Sequence, residues 1–163
     1  MQKDITTQNT LRAIILILFT IKLIVSCIEH ANRIDSFYSG KILLEDPILI
    51  LKLNLLFEPF IILLGIIGIF IRKKIGLVFM LLLPSLILTY NFIPAITPYF
   101  YFESVWPRVT LAIIFYFIIN LKIIRTAYES KTIKQSVLLN TYAIVIGIII
   151  SVVMLYYRGI FEV

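Results

Sequence analysis

The chain has 163 residues, of which 61% are hydrophobic, with a mean hydropathy of +1.03 and a formal net charge of +6. Soluble domains are nearer to about 45–50% apolar, so we expect the excess apolar surface to face lipid. The basic residues lie at the ends of apolar runs, as in membrane proteins, which argues against a nucleic-acid partner. One cysteine, Cys27, and one histidine, His30, exclude an intrachain disulfide and a zinc site made of His and Cys, and no metal or cofactor is predicted.

Five apolar segments set the predicted architecture. A bilayer core about 30 Å thick requires about 20 apolar helical residues. The segments that meet or approach this length are residues 11–28, 47–71, 75–93, 108–124 and 136–157. Their apolar runs are continuous, which favours helices over barrel strands of alternating polarity. The sequence therefore predicts one all-α integral membrane domain over residues 1–163, a bundle of five transmembrane helices, with four spans as the alternative.

The ends of these spans carry recognisable signals. Lys3 and Arg12 before the first apolar run resemble a signal peptide, but Lys22 interrupts that run, so we expect an uncleaved span. Pro84 is expected to bend the third span because it removes a backbone donor. The Trp106-Pro107 pair marks the predicted outer end of the fourth span, since proline is favoured at a helix start.

Lysine and arginine counts set the predicted orientation. With the N-terminus in the cytoplasm, nine basic residues fall on the cytoplasmic side and five on the other, and the Arg72-Lys73-Lys74 turn adds weight to this choice. The expected location is a multi-pass position in the bacterial cytoplasmic (inner) membrane, with the C-terminus outside if there are five spans. The bilayer is the first predicted partner, followed by other membrane proteins or further copies of the chain.

The outer connection between the third and fourth spans is rich in aromatic residues. Tyr99, Tyr101 and Trp106 lie there, followed by Arg108. One interpretation is an interfacial belt, in which aromatic rings and Arg108 lie among lipid headgroups. The other is a docking face for a lipid, a quinone or a partner helix.

Two charges lie deep inside the predicted spans. Lys22 is roughly 16 Å from the cytoplasmic start of the first span, and Glu58 is roughly 20 Å from the cytoplasmic end of the second, at about 1.5 Å per residue. Because lone charges are costly in a bilayer and consecutive spans are often neighbours, we expect an ion pair near the midplane. The pair either fixes the register of the two helices or forms a proton, ion or anion site; alternatively, Lys22 extends to the interface unpaired.

Weaker polar and small residues accompany this pair. Asn54 is four residues from Glu58 and shares its helix face, so it is a candidate for a polar lining, together with Asn120. Asn120 and Asn140 are also candidates for hydrogen bonds between helices. Gly65, Gly68 and Gly147 would allow helices to approach closely.

The stretch Glu58-Pro59-Phe60-Ile61-Ile62-Leu63-Leu64-Gly65-Ile66-Ile67-Gly68-Ile69-Phe70-Ile71-Arg72 resembles the second span of DoxX/MauE-like membrane proteins. Arg12 and the Asp35-Ser36-Phe37 triplet are similar too, and the resemblance covers about the first 80 residues. It implies an accessory role in quinone-linked respiratory or redox-maturation systems, with Glu58 and Arg72 as the matching residues. The family usually has four spans, and its lysine would fall near Ser26 rather than at Lys22.

Three functions are compatible with this sequence. The first is a non-catalytic membrane subunit or accessory protein of a larger complex. The second is a small oligomeric transporter or channel that uses the Lys22–Glu58 pair. The third is a subunit of a quinone- or lipid-linked membrane enzyme, with Arg108 near the outer headgroups. No catalytic residue is predicted, because the chain lacks a nucleophile–base set.

Overall fold

The computed structural model describes residues 2–38, 57–92, 106–130 and 132–160. These residues form six helices, which are α1 (Gln2–Tyr38), α2 (Phe57–Phe70), α3 (Lys74–Phe92), α4 (Trp106–Ile119), α5 (Lys122–Ala127) and α6 (Ile133–Ile160). No strand occurs within the described ranges, so the all-α prediction is confirmed for them.

Three of the helices are long and apolar enough to cross a membrane. The qualifying stretches are Ile5–Glu29 in α1, Lys74–Asn91 in α3 and Ile133–Met154 in α6. Helices α2 and α4 are apolar but have 14 residues each, which corresponds to about 21 Å and is less than the roughly 30 Å of a bilayer core. The count of five spans therefore stays a prediction, and residues 47–56 of the second predicted span lie outside the described ranges.

Helix boundaries differ from the predicted ones at the fourth span. The predicted segment 108–124 is divided, because α4 ends at Ile119 and α5 begins at Lys122. Leu121 has an extended backbone, with φ −55° and ψ 138°, which ends the helical path. The Tyr116 carbonyl accepts hydrogen bonds from both the backbone amide and the side chain of Asn120, at 3.2 Å from N and 2.9 Å from Nδ2.

Helix α3 occupies the centre of the bundle. It packs against α2, α4 and α6, and residues 80–86 are all buried, including Pro84 inside the helix. Helix α1 packs against α2 and α5. Large apolar side chains also cover the outside, as Ile17 on α1 and Ile149 on α6 show, each 57% exposed. Apolar residues on both the inside and the outside of a bundle are the pattern expected where lipid replaces water.

Three glycines, Gly65, Gly68 and Gly147, lie where helices approach closely. A Cβ atom added to Gly65 would lie 2.0 Å from Cε1 of Phe19 on α1, and one added to Gly147 would lie 3.1 Å from the carbonyl carbon of Ser85 on α3. Phe19 is fully buried and packs edge-to-face on Phe115, with 5.1 Å between the ring centroids. Small residues at such contacts let neighbouring backbones pack closely, as in membrane helix pairs.

Candidate functional site

The candidate site is an ion pair between α1 and α2. Nζ of Lys22 lies 2.6 Å from Oε1 of Glu58, and the two side chains are 12% and 25% exposed. The structure thus brings together the two residues that the sequence placed at similar depth. The structural role and the functional role of the pair both stay predictions. A charge-assisted contact of this length offsets part of the hydration that each side chain loses.

The register of the two antiparallel helices explains the contact. Nη2 of Arg12 on α1 donates a hydrogen bond to the backbone carbonyl of Ile69 on α2. From there, Lys22 is ten residues along α1 and Glu58 is eleven residues back along α2. At about 1.5 Å per residue these paths are about 15 and 16 Å, so the two side chains arrive at the same level.

A second ion pair marks the opposite end of α1. Nη2 of Arg108, in the first turn of α4, lies 3.6 Å from Oε2 of Glu29, with side chains 52% and 39% exposed. Exposed pairs of this kind contribute little to stability. Glu29 is 17 residues from Arg12, about 26 Å along the helix, so Lys22 and Glu58 lie between the two ends. After the predicted N-in orientation, we call the end with Arg12, Ile69 and Tyr128 the inner end and the end with Glu29 and Arg108 the outer end.

The inner end contains a contact that the sequence analysis missed. The Tyr128 hydroxyl donates to the same Ile69 carbonyl, at 2.8 Å, and the Arg12 guanidinium carbon lies 5.9 Å from the centroid of the Tyr128 ring. Carbonyls near the end of a helix lack partners within that helix and favour positive charge. Arg12 and Tyr128 therefore cap α2 at its last turn. The sequence predicted Arg12 mainly as a charge that sets orientation, and no sequence pattern indicated a role for Tyr128.

Three polar atoms near this cap are buried without a hydrogen-bond partner. They are Nε of Arg12, Nε of Arg125 and Oγ of Ser130. Leaving a buried donor unsatisfied costs about 1–3 kcal/mol in ordinary proteins. The inner end is therefore the part of the described chain with most unused hydrogen-bonding capacity, since the fourth such atom, Oγ of Ser85, lies apart on α3.

Replacing Tyr128 with phenylalanine tests the cap. We expect a loss of about 1 kcal/mol in the free energy of unfolding, because one hydrogen bond is removed while the ring stays. Burial raises the pKa of Tyr128 above 10.0, and the hydrogen bond and charge of Arg12 act in the opposite direction. A raised pKa stabilises the fold below pH 10 and ceases to do so as the pH rises beyond it. Thermal unfolding between pH 8 and pH 11 should therefore show a steeper alkaline loss in the wild type than in Tyr128→Phe; equal slopes would contradict the assignment.

A pair of amides joins the end of α4 to α6. Asn140 Nδ2 donates to Asn120 Oδ1 at 2.8 Å, and Asn120 Nδ2 donates to Asn140 Oδ1 at 3.1 Å. The Ser136 hydroxyl adds a longer bond to Asn120 Oδ1, at 3.4 Å. Asn120 is therefore used in helix–helix contact, and none of its hydrogen bonds reaches Lys22 or Glu58. A continuous polar lining that includes Asn120 has no support in these contacts.

A double-mutant cycle measures this amide pair. We expect Asn140→Leu to destabilise the protein, because Asn120 then loses its reciprocal partner. With Asn120→Leu as the second change, the coupling energy should be about 1 kcal/mol, within the range measured for hydrogen bonds between membrane helices. Unfolding in mixed micelles provides the measurement. Ser151→Ala serves as a comparison, since it removes the separate 2.8 Å bond to Thr89, and additive effects of the two asparagine changes would exclude coupling.

The remaining predicted site residues fall into two groups. Trp106 and Arg108 lie in the first turn of α4 at the outer end, and both are exposed. Asn54, Tyr99 and Tyr101 lie outside the described residues. The aromatic belt stays a prediction, with Trp106 in a position that suits it.

The chemistry open to this arrangement is ionic and hydrogen-bonding. Within the described ranges, no group of three His, Cys, Asp or Glu side chains is placed to share a metal ion. A paired lysine and glutamate can hold a proton or an anion, or can fix two helices in register. Comparison with protein-family models, with curated proteins and with solved structures finds no match for the chain.

Proposed function

We propose that this chain is a non-catalytic membrane protein that serves as a subunit or accessory protein of a larger membrane complex. The observation that carries the proposal is the use of its interior polar groups. The Lys22–Glu58 pair joins α1 to α2, and the Asn120–Asn140 pair joins α4 to α6. Polar groups engaged in this way stabilise a scaffold rather than a reaction. The resemblance to DoxX/MauE-like proteins, also a proposal, favours an accessory role in a redox system.

The proposal includes a five-span, N-in topology in the bacterial cytoplasmic membrane. Its support is the excess of basic residues on one side and the distance of about 26 Å along α1 between the inner and outer ends, which is close to a bilayer core. A membrane-impermeant maleimide applied to intact cells tests it, with Cys27→Ser as the background. A cysteine introduced at Val163 should react, and one at Lys73 should react only after the membrane is opened. The reverse pattern would exclude the orientation, and protection of both would exclude five spans.

The partner surface is best sought on α6. Among the described helices, α6 packs chiefly on α3, and it exposes apolar side chains around most of its remaining circumference. A photo-crosslinking residue at Ile149 should give one discrete protein adduct in native membranes, whereas one at Ile17 on α1, the matched and equally exposed control, should give lipid adducts. The accessory role would be rejected if both faces gave lipid adducts alone and the purified chain by itself carried out proton or ion flux.

A second candidate, transport by an oligomer, is favoured by one observation. Lys22 lies within the apolar stretch of α1, and Glu58 on α2 lies beside it. Ionisable residues inside apolar spans often mark an ion or proton path. Proton or ion flux into liposomes that contain the purified chain tests this candidate. Flux that is present in the wild type and absent in Glu58→Gln would support transport, and an absence of flux in both would leave the accessory role.

A further inference from the structure

The last residues of α5 and the turn that follows, residues 125–130, gather unpaired donors at the inner end. Nε of Arg125 and Oγ of Ser130 are buried there without a partner, and Ser130 is only 2% exposed. Nε of Arg12, on the neighbouring helix α1, is unpaired as well. A buried hydroxyl and two buried guanidinium nitrogens without partners are the groups that an acceptor-rich ligand would satisfy.

The backbone holds these donors around Tyr128. The amide nitrogens of Tyr128 and Ser130 both donate to the carbonyl of Arg125, at 3.1 and 3.0 Å, and Glu129 takes a left-handed conformation with φ 59°. The Arg12 guanidinium lies over the Tyr128 ring. The α1–α5 contact is extended by Gln8, whose Nε2 bonds to the Ile123 carbonyl at 3.4 Å. The backbone of residues 125–130 and the Arg12 guanidinium are therefore held next to one tyrosine by contacts that do not use the unpaired atoms.

Charge at this end is uncompensated within the described side chains. The ion pairs described for the chain are Lys22–Glu58 and Glu29–Arg108, and neither lies at the inner end. Glu129, the acidic residue in the turn itself, is exposed. An anion would therefore find arginine charge here without having to displace a carboxylate whose position is described.

We propose that Arg125, Arg12 and Ser130 bind a phosphate group at the inner end. Guanidinium groups match the oxygens of phosphate with two parallel hydrogen bonds, and a serine hydroxyl donates a third. The site lies beside the apolar end of α2, which meets the cytoplasmic headgroups in the proposed topology, so an anionic phospholipid and a soluble phosphate are the two sources. This site is independent of the proposed accessory role, and it uses neither Lys22 nor Glu58.

The test is a binding titration of the purified full-length chain in a neutral detergent. Native mass spectrometry would measure the binding of phosphatidylglycerol, with phosphatidylcholine as the zwitterionic reference and inorganic phosphate as the soluble probe. The variants are Arg125→Gln, Arg125→Lys and Ser130→Ala, and Lys134→Gln is the control, because Lys134 is an exposed cation in the first turn of α6. Size-exclusion chromatography would verify that each variant is folded.

We expect Arg125→Gln to weaken phosphatidylglycerol binding about fivefold, the factor typical for one basic residue at an anionic surface. Arg125→Lys should weaken it by a smaller factor, because the charge stays while the paired hydrogen bonds are lost. Ser130→Ala should weaken phosphatidylglycerol binding without any change of charge. This variant tests the site if the arginine variants do not fold. Lys134→Gln should leave phosphatidylglycerol binding within about twofold of the wild type.

The two sources give different results. If millimolar inorganic phosphate displaces phosphatidylglycerol from the wild type but not from Arg125→Gln, the result supports the site with a soluble phosphate as its ligand. Retention of the lipid against phosphate would support a headgroup. Equal weakening by Arg125→Gln and Lys134→Gln would overturn the proposal, because a diffuse surface potential would then account for binding. Unchanged binding in both Arg125→Gln and Ser130→Ala would overturn it as well.

Discussion

Replacing Glu58 with alanine is expected to lower the free energy of unfolding by about 3 kcal/mol, because it leaves Lys22 charged and unpaired inside the bundle. The isosteric change Glu58→Gln should cost less, since the amide still accepts a hydrogen bond from the lysine ammonium. Reversible unfolding in mixed micelles would give both values. A wild-type stability in Glu58→Ala would show that Lys22 reaches the interface and that the pair contributes nothing.

The double variant Lys22→Met with Glu58→Leu separates the cost of an orphan charge from the value of the pair. Replacing both partners of a buried pair with apolar residues is often close to neutral. We therefore expect the double variant to recover most of the stability that either single variant loses. If its flux or partner binding is lost while its stability is recovered, the pair has a function beyond fixing the register of α1 and α2. Recovery of both stability and function would assign the pair to structure.

Gly65→Ala is expected to have the second large effect, a loss of about 2 kcal/mol. The added methyl group would lie 2.0 Å from Cε1 of Phe19, which is too short for a van der Waals contact. The Phe19 ring has little freedom to move, because it is fully buried and packs edge-to-face on Phe115. Either the ring leaves its position or α1 moves away from α2, and both changes reduce packing. Thermal unfolding of the detergent-solubilised protein provides the measurement.

Two comparisons make the Gly65 prediction specific. Phe19→Leu added to Gly65→Ala should restore part of the stability, because the smaller side chain leaves room for the methyl group. Gly147→Ala should cost less than Gly65→Ala, since its nearest contacts are 3.1 and 3.2 Å and a small shift of α6 relieves them. A larger loss at Gly147 than at Gly65 would contradict the steric account. Because lipid is as apolar as a protein core, these losses reflect packing rather than transfer from water.

The sequence was most informative where physical constraints are strict. Apolar length alone identifies the helices, since a bilayer tolerates few other structures. The depth comparison brought Lys22 and Glu58 together because both were counted from the same side of the membrane at a fixed rise per residue. That count required no knowledge of side-chain packing, and it would have failed if a bulge or kink had shifted either helix.

The sequence was least informative about contacts with the backbone and about helix ends inside apolar runs. In the cap on α2, Arg12 and Tyr128 donate to the backbone carbonyl of Ile69. Every residue has a backbone carbonyl, so no sequence pattern indicates which one is used. The break after Ile119 lies in a run without glycine or proline. Asn120, the first residue after α4, pairs with Asn140 on α6, a tertiary contact that no local pattern indicates. Asn120 and Asn140 were recognised as hydrogen-bonding candidates, but their mutual pairing was not predicted.

The early end of α4 has a consequence for the surrounding lipid. Helix α4 is only about 21 Å long, whereas α1 covers about 26 Å between Glu29 and Arg12. A hydrophobic stretch that is too short is accommodated by thinning of the adjacent bilayer. In the proposed five-span topology, the protein therefore presents a smaller hydrophobic thickness at α4 than at α1. The membrane beside α4 should then be thinner than the membrane beside α1, and short-chain lipids should gather there.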